Sequence, residues 1–222
     1  MALIRLTSLL ALAITIAAHG NIISPPERLP GPAMAAACGQ AAVDSALADD
    51  TTPLENIDTS GATTACQLDL CRGNKFEDNV ANVQSFSAGQ TIPIKATLPI
   101  PHAGPMNVSI IDTATNRAIG APLIEDPNYA DETLAQLPAN NTDFSVTMPQ
   151  LADGQCTQPG ECTMQWFWFG TRAQQTYEAC VDFVMAPGGA SAAPAAPAVQ
   201  AGAATSGARG GTLLYRAQKF KA

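Results

Sequence analysis

Two histidines draw attention because the chain of 222 residues contains no others: His19 and His102. His19 follows Ala17-Ala18, small residues of the kind left of a signal cut, and precedes Gly20. With cleavage after Ala18, His19 becomes a first residue and offers two nitrogens at once, its α-amine and a ring nitrogen. An α-amine has an ordinary pKa of about 7.7–8.0, so it is easily neutral. A ring nitrogen from His102 would make a third donor. Three nitrogens in one plane suit Cu(II), which prefers tetragonal nitrogen and oxygen ligation and heads the divalent affinity order. Zinc would ask for a tetrahedral set with one more ligand. A lone loop histidine is more often solvated or in an ordinary hydrogen bond, but His102 sits between Pro101 and Gly104-Pro105, a stiff loop that could hold a ligand.

Other chemistries have less to stand on. No Gly-x-Ser-x-Gly elbow is present, and no glycine-rich phosphate motif. The 19 acidic residues leave room for a carboxylate pair of the glycosidase kind, yet nothing singles out two of them.

The elements that must position these residues are short and alternating. Residues 91–96, 107–111, 144–148 and 180–185 are short apolar segments that often alternate with polar side chains, the pattern of half-buried strands, and 164–169 also alternates, with large aromatics on its faces. Several such strands with turn signals between them predict an all-β sandwich with long loops. Met34 to Ala48 is the one stretch of helical composition, an insertion in a loop. Trp166 and Trp168 read first as sandwich core, with electron or hole transport as the alternative.

Residues 1–18 carry Arg5 and then an apolar run from Leu9, a secretory signal too short for a membrane span. Residues 19–186 form the domain. Residues 187–222 begin with an Ala/Gly/Pro stretch that reads as a disordered linker, then turn basic. The protein is therefore expected to be secreted, extracellular and monomeric, with no membrane partner. Six cysteines fit an oxidising compartment, and two glycosylation sequons, at Asn107 and Asn140, agree with it. Close spacing suggests Cys66–Cys71 and Cys156–Cys162, which leaves Cys38–Cys180, though six cysteines permit fifteen pairings. Within residues 19–186 six basic residues stand against all 19 acids, a net charge near −13. That excludes nucleic acid as a partner, which needs a basic face, and suits a neutral glycan.

His19-Gly20 with Ser24-Pro25-Pro26 and Arg28 resembles the opening of fungal lytic polysaccharide monooxygenases. The run Gly31-Pro32-Ala33-Met34 to Ala37-Cys38-Gly39-Gln40 is similar to auxiliary-activity family sixteen. So are Cys66-Gln67-Leu68, Cys71-Arg72-Gly73, the loop Pro101-His102-Ala103-Gly104, and Gln175-Thr176-Tyr177-Glu178-Ala179-Cys180 followed by Asp182-Phe183. The resemblance implies one copper ion on an immunoglobulin-like sandwich. It would be held by the amine and ring of His19 and the ring of His102, with Tyr177 in a distant axial position. Gln175, two residues before Tyr177 and so on the same side of a strand, would steady bound oxygen. The implied activity is oxidative cleavage of a polysaccharide, cellulose or a related β-glucan, at C1. It would need an electron donor, either a small molecule or a protein. A sister family places a further histidine near its axial glutamine; here that role is empty or falls to Gln165 or Arg172. Two rival readings are a secreted copper-binding protein without oxidase activity and a metal-free carbohydrate-binding sandwich.

Overall fold

Alternation builds the sheets. In β3 (Thr91–Ile100) the side chains of Ile92, Ile94 and Ala96 are buried while Thr91, Pro93 and Lys95 face solvent. β4 (Gly104–Asp112) buries Met106, Val108 and Ile110 in the same rhythm, and β8 (Cys162–Gly170) buries Met164, Trp166 and Trp168. β9 (Gln175–Met185) contributes Tyr177, Ala179, Val181 and Phe183, and β7 (Asp143–Thr147) contributes Phe144 and Val146. These inward rows form one apolar core between two sheets, the arrangement expected of period-two strands with one buried face.

The computed structural model describes residues 19–186. The signal-like stretch 1–18 and the tail 187–222 lie outside the described residues. The smaller sheet has the order β1-β3-β7, with β1 spanning His19–Ser24. The larger has the order β2-β9-β8-β4-β5, with β2 at Gln84–Phe86 and β5 at Arg117–Ala118; β6 (Ile124–Tyr129) also pairs with β4. All pairings are antiparallel except β2 with β9. The all-β sandwich read from the sequence is the observed fold. Pro93, which cannot donate to a ladder, falls in the half of β3 that pairs only with β7, since β1 reaches no further along β3 than Lys95.

The predicted helical insertion consists of two helices, α1 (Pro32–Cys38) and α2 (Gln40–Ala48), broken at Gly39 with φ 91°. α1 starts on Pro32, where a missing N–H costs nothing. Its first amides are capped from outside the helix: the Asp78 carboxylate accepts from Ala33 N at 2.9 Å and Met34 N at 3.0 Å. The segment leading into α1 is tied to β9 through a buried pair, Arg28 Nε and Nη2 donating to Asp182 at 2.8 and 2.6 Å.

The disulfides correct the expectation read from spacing. The bonds are Cys38–Cys66, Cys71–Cys180 and Cys156–Cys162; only the last matches. Cys66 packs with Met34, Cys38 and Leu68 under the helices. Cys71 instead clusters with Leu70, Ile111 and Cys180 on the outer face of the larger sheet. The two near neighbours in sequence therefore serve different parts of the fold. Both tryptophans lie in the core, 2% and 0% exposed. Of the sequons, Asn140 is exposed in a 3-10 turn. Asn107 is half-buried within β4, and its Oδ1 accepts from Ser109 Oγ at 2.9 Å.

Candidate functional site

Strand direction gathers the chemistry-bearing residues at one end of the sandwich. β1 begins at His19, which pairs with Ile100, the last residue of β3. His102 follows two residues later, at the start of the turn into β4. β8 ends at Gly170 opposite Gln175, the first residue of β9, and Trp168 pairs with Tyr177. The ends of β3 and β8 and the starts of β1, β4 and β9 thus share a rim.

Packing joins the rim to the core. The Tyr177 ring stacks on Trp168, centroids 4.6 Å apart. Behind Gly20, Trp168 comes so close that a Cβ there would sit 2.9 Å from its Cζ3. The His19-Gly20 backbone therefore rests on Trp168, and Trp168 on Tyr177. Gln175 and Tyr177 do point to the same side, since the Tyr177 hydroxyl donates to Gln175 Oε1 at 3.0 Å. Burial pushes the Tyr177 phenol above its ordinary pKa, helped by the nearby carboxylates of Glu55 and Asp49. It stays a neutral hydroxyl.

His102 is 5% exposed, and its loop is held from two sides. Thr171 N donates to the Ala103 carbonyl at 3.0 Å. Ala103 N donates to Glu132 Oε2 at 2.6 Å, and Arg172 Nη1 donates to Glu132 Oε1 at 3.0 Å. The Ala103 amide is the chief cause that holds the Glu132 carboxyl below its usual range. Gly104 is required where β4 starts, because a Cβ would lie 1.9 Å from the Phe169 carbonyl oxygen.

Three carboxylates act on this rim that the sequence left unmarked among 19 acids. Glu132 steadies the His102 loop. Glu55 clamps the start of β9, its two oxygens accepting from Thr176 N at 2.9 Å and Thr176 Oγ1 at 2.8 Å. Asp49, just past α2, places Oδ2 3.1 Å from His19 Nε2. Spacing alone carried no signal for any of them, because their partners lie 29 or more residues away in sequence. Of the two residues considered for an additional polar role, Arg172 is at this rim through Glu132. Gln165 is not: it lies opposite Cys180 on the face of β8 away from Trp166 and Trp168.

Among the described residues no group of three or more His, Cys, Asp and Glu side chains could hold a metal ion. What the rim offers is two imidazoles, and each has a buried Nδ1 with no hydrogen-bond partner. A buried polar atom without a partner is costly, and an imidazole lone pair in that condition is what a metal ion would satisfy. Two such rings at one rim fit a metal that takes imidazole nitrogen, copper among them.

Residues 19–183 match the family described as lytic polysaccharide mono-oxygenase, cellulose-degrading. Among solved structures the chain is similar to a cellulose-active lytic polysaccharide mono-oxygenase, CelS2, in complex with copper: 17% identity, TM-score 0.44, covering 77% of this chain and 100% of that one. It is also similar to a chitin-binding domain from Burkholderia pseudomallei, with 14% identity and TM-score 0.41, covering 76% of this chain and 100% of that one. No curated protein matches. The narrower likeness to auxiliary-activity family sixteen gains no support from these comparisons.

Proposed function

This chain belongs to the lytic polysaccharide mono-oxygenase family, copper enzymes that oxidise polysaccharide, and from that premise we propose that it is secreted and cleaves cellulose or a related β-glucan, with oxidation at C1. The observation that supports this most is the meeting of two chain segments. His19 pairs with the last residue of β3, His102 lies two residues beyond, and both rings keep an unpartnered buried Nδ1.

In this reading His19, through amine and ring, and His102, through its ring, would hold one copper ion, with Tyr177 lining the same site. Copper supplies the redox chemistry, fed by electrons from a small molecule or a protein. The chain's own residues do the rest. Glu132 and Arg172 keep the His102 loop in place. Trp168 backs both His19-Gly20 and Tyr177. The Tyr177 hydroxyl, kept protonated by burial, orients the Gln175 amide at the rim. A polysaccharide is the partner, met by a domain whose acidity repels nucleic acid. Removal of residues 1–18 frees the amine, residues 187–222 serve as a linker, and Asn140, exposed in its turn, is the sequon that carries glycan.

The test uses protein beginning at His19, loaded with copper and given ascorbate and cellulose. Release of C1-oxidised oligosaccharides is expected. It should vanish in His102→Ala and in a form carrying one extra residue before His19. Tight copper binding without oxidised products would favour the non-catalytic copper protein. Absence of tight copper binding would favour the metal-free carbohydrate-binding sandwich.

A further inference from the structure

His19 Nε2 lies 3.1 Å from Asp49 Oδ2, and its Nδ1 is buried without a partner. A neutral imidazole has one proton for two nitrogens. A carboxylate can only accept, so a proton held between this pair sits on Nε2, and Nδ1 is left as the ring's lone pair. We propose that Asp49 is a positioning residue: it fixes the tautomer and the plane of the His19 ring, so that Nδ1, on the backbone side beside the α-amine, is the nitrogen offered to copper. The proposal rests on the copper reading above only for its consequence, not for the hydrogen bond itself.

Asp49 is placed to do this by contacts that do not involve His19. Its Oδ1 accepts from Thr51 N at 2.9 Å and Thr51 Oγ1 at 2.6 Å, which leaves Oδ2 for the ring. The next residue is also anchored: the Asp50 carbonyl accepts from Arg72 Nη1. Arg72 is 4% exposed, neighbours the Cys71–Cys180 disulfide, and its backbone N–H donates to Glu178 Oε2 at 3.4 Å. The aspartate is thus referenced to β9, the strand that carries Tyr177. An outer carboxylate on a ligand histidine raises the basicity of the ring and fixes its orientation, and its loss costs about 10- to 100-fold in metal affinity or activity.

The experiment reads the tautomer directly, without metal. The chain has two histidines, so a long-range proton–nitrogen NMR spectrum of the mature protein shows two rings. It is taken along a pH series, and the tautomers are read where the nitrogen shifts themselves show both rings neutral. His19 should show a protonated Nε2 and an unprotonated Nδ1. Asp49→Ala should move both His19 nitrogens toward the values of mixed tautomers and leave His102 unchanged. Asp49→Asn has one oxygen, which the two Thr51 donors hold; its NH2 then faces Nε2 and donates to it, so the His19 pattern should reverse, with the proton on Nδ1. Copper titration then follows: about 10- to 100-fold weaker binding in Asp49→Ala, and binding no tighter than that in Asp49→Asn. Wild-type His19 already in mixed tautomers, unchanged nitrogen shifts in Asp49→Ala, or unchanged copper affinity with altered shifts would each overturn the proposal. A wild-type protein that binds no copper would overturn the copper reading instead, and the metal-free spectra would still decide whether Asp49 holds the ring.

Discussion

At the scale of single residues, the site is defined as much by what is missing as by what is present. Gly20 has no side chain, and the space is taken by Leu98 and Trp168, each with an atom 2.9 Å from where a Cβ would stand. Gly20→Ala must therefore push the His19-Gly20 backbone off Trp168. Overpacking of this kind costs about 1–3 kcal/mol, and here the displaced atoms belong to the residue proposed to hold copper. We expect a lower melting temperature together with weaker copper binding, read by thermal denaturation and copper titration of the same preparation. An unchanged copper affinity in a destabilised protein would mean that the backbone of β1 does not set the donor positions. Of the residues proposed for the site, His19, His102, Tyr177 and Gln175 were marked in the sequence because they are scarce or lie in a recognisable motif. Asp49, Glu55 and Glu132 were not, since an acid on a loop differs from a solvated one only by a partner that folding brings to it.

At the scale of elements, alternation in 91–96 was enough to find β3, because that strand has one buried face and the pattern records it; β8 is buried on both sides from Cys162 to Trp166, so its large aromatics mark it more than alternation does. The disulfide frame was not legible. Cys66 and Cys71 are close in sequence, but a helical cluster claims one and β9 the other. That separation has a thermodynamic consequence. Cys71–Cys180 closes a loop of 109 residues and Cys156–Cys162 one of 6. In the chain-entropy account the long loop contributes about 4.7 kcal/mol and the short one about 2 kcal/mol. Replacing Cys71 and Cys180 together by serine should lower unfolding free energy by roughly 2–3 kcal/mol more than replacing Cys156 and Cys162, as read from denaturant midpoints. Because Arg72, which holds the Asp50 carbonyl, directly follows Cys71, the first variant should also loosen the loop that reaches His19.

At the scale of the whole molecule, charge and burial combine into a dependence on pH. The domain carries a net charge near −13, so self-repulsion grows as its acids ionise. One buried acid adds a specific contribution of the same sign. Glu27 is half-buried as a residue, but its Oε2 is sealed from solvent without a partner. Burial is the main cause that raises its pKa from 4.5 to about 7, against the Asn21 amide and the Arg72 guanidinium, which favour the charged form. Between those two values the unfolded chain has released this proton and the folded chain still holds it. Rising pH therefore favours unfolding across that window, and the effect levels off above about 7. Glu178, pushed up to about 8 chiefly by burial, acts in the same direction over a wider range. Asp49 and Glu132, whose pKa values are lowered, act oppositely, but only in acid below the range of ordinary carboxylates. Chemical denaturation between about pH 5 and 8 should show wild-type stability falling with pH, with Glu27 responsible for on the order of 2–3 kcal/mol. Glu27→Gln keeps an oxygen for Asn21 and removes the titration, so its stability should fall less steeply over the same interval. Parallel curves for the two proteins would show that the Glu27 carboxyl reaches water in the folded state and that the slope belongs to the surface charge instead.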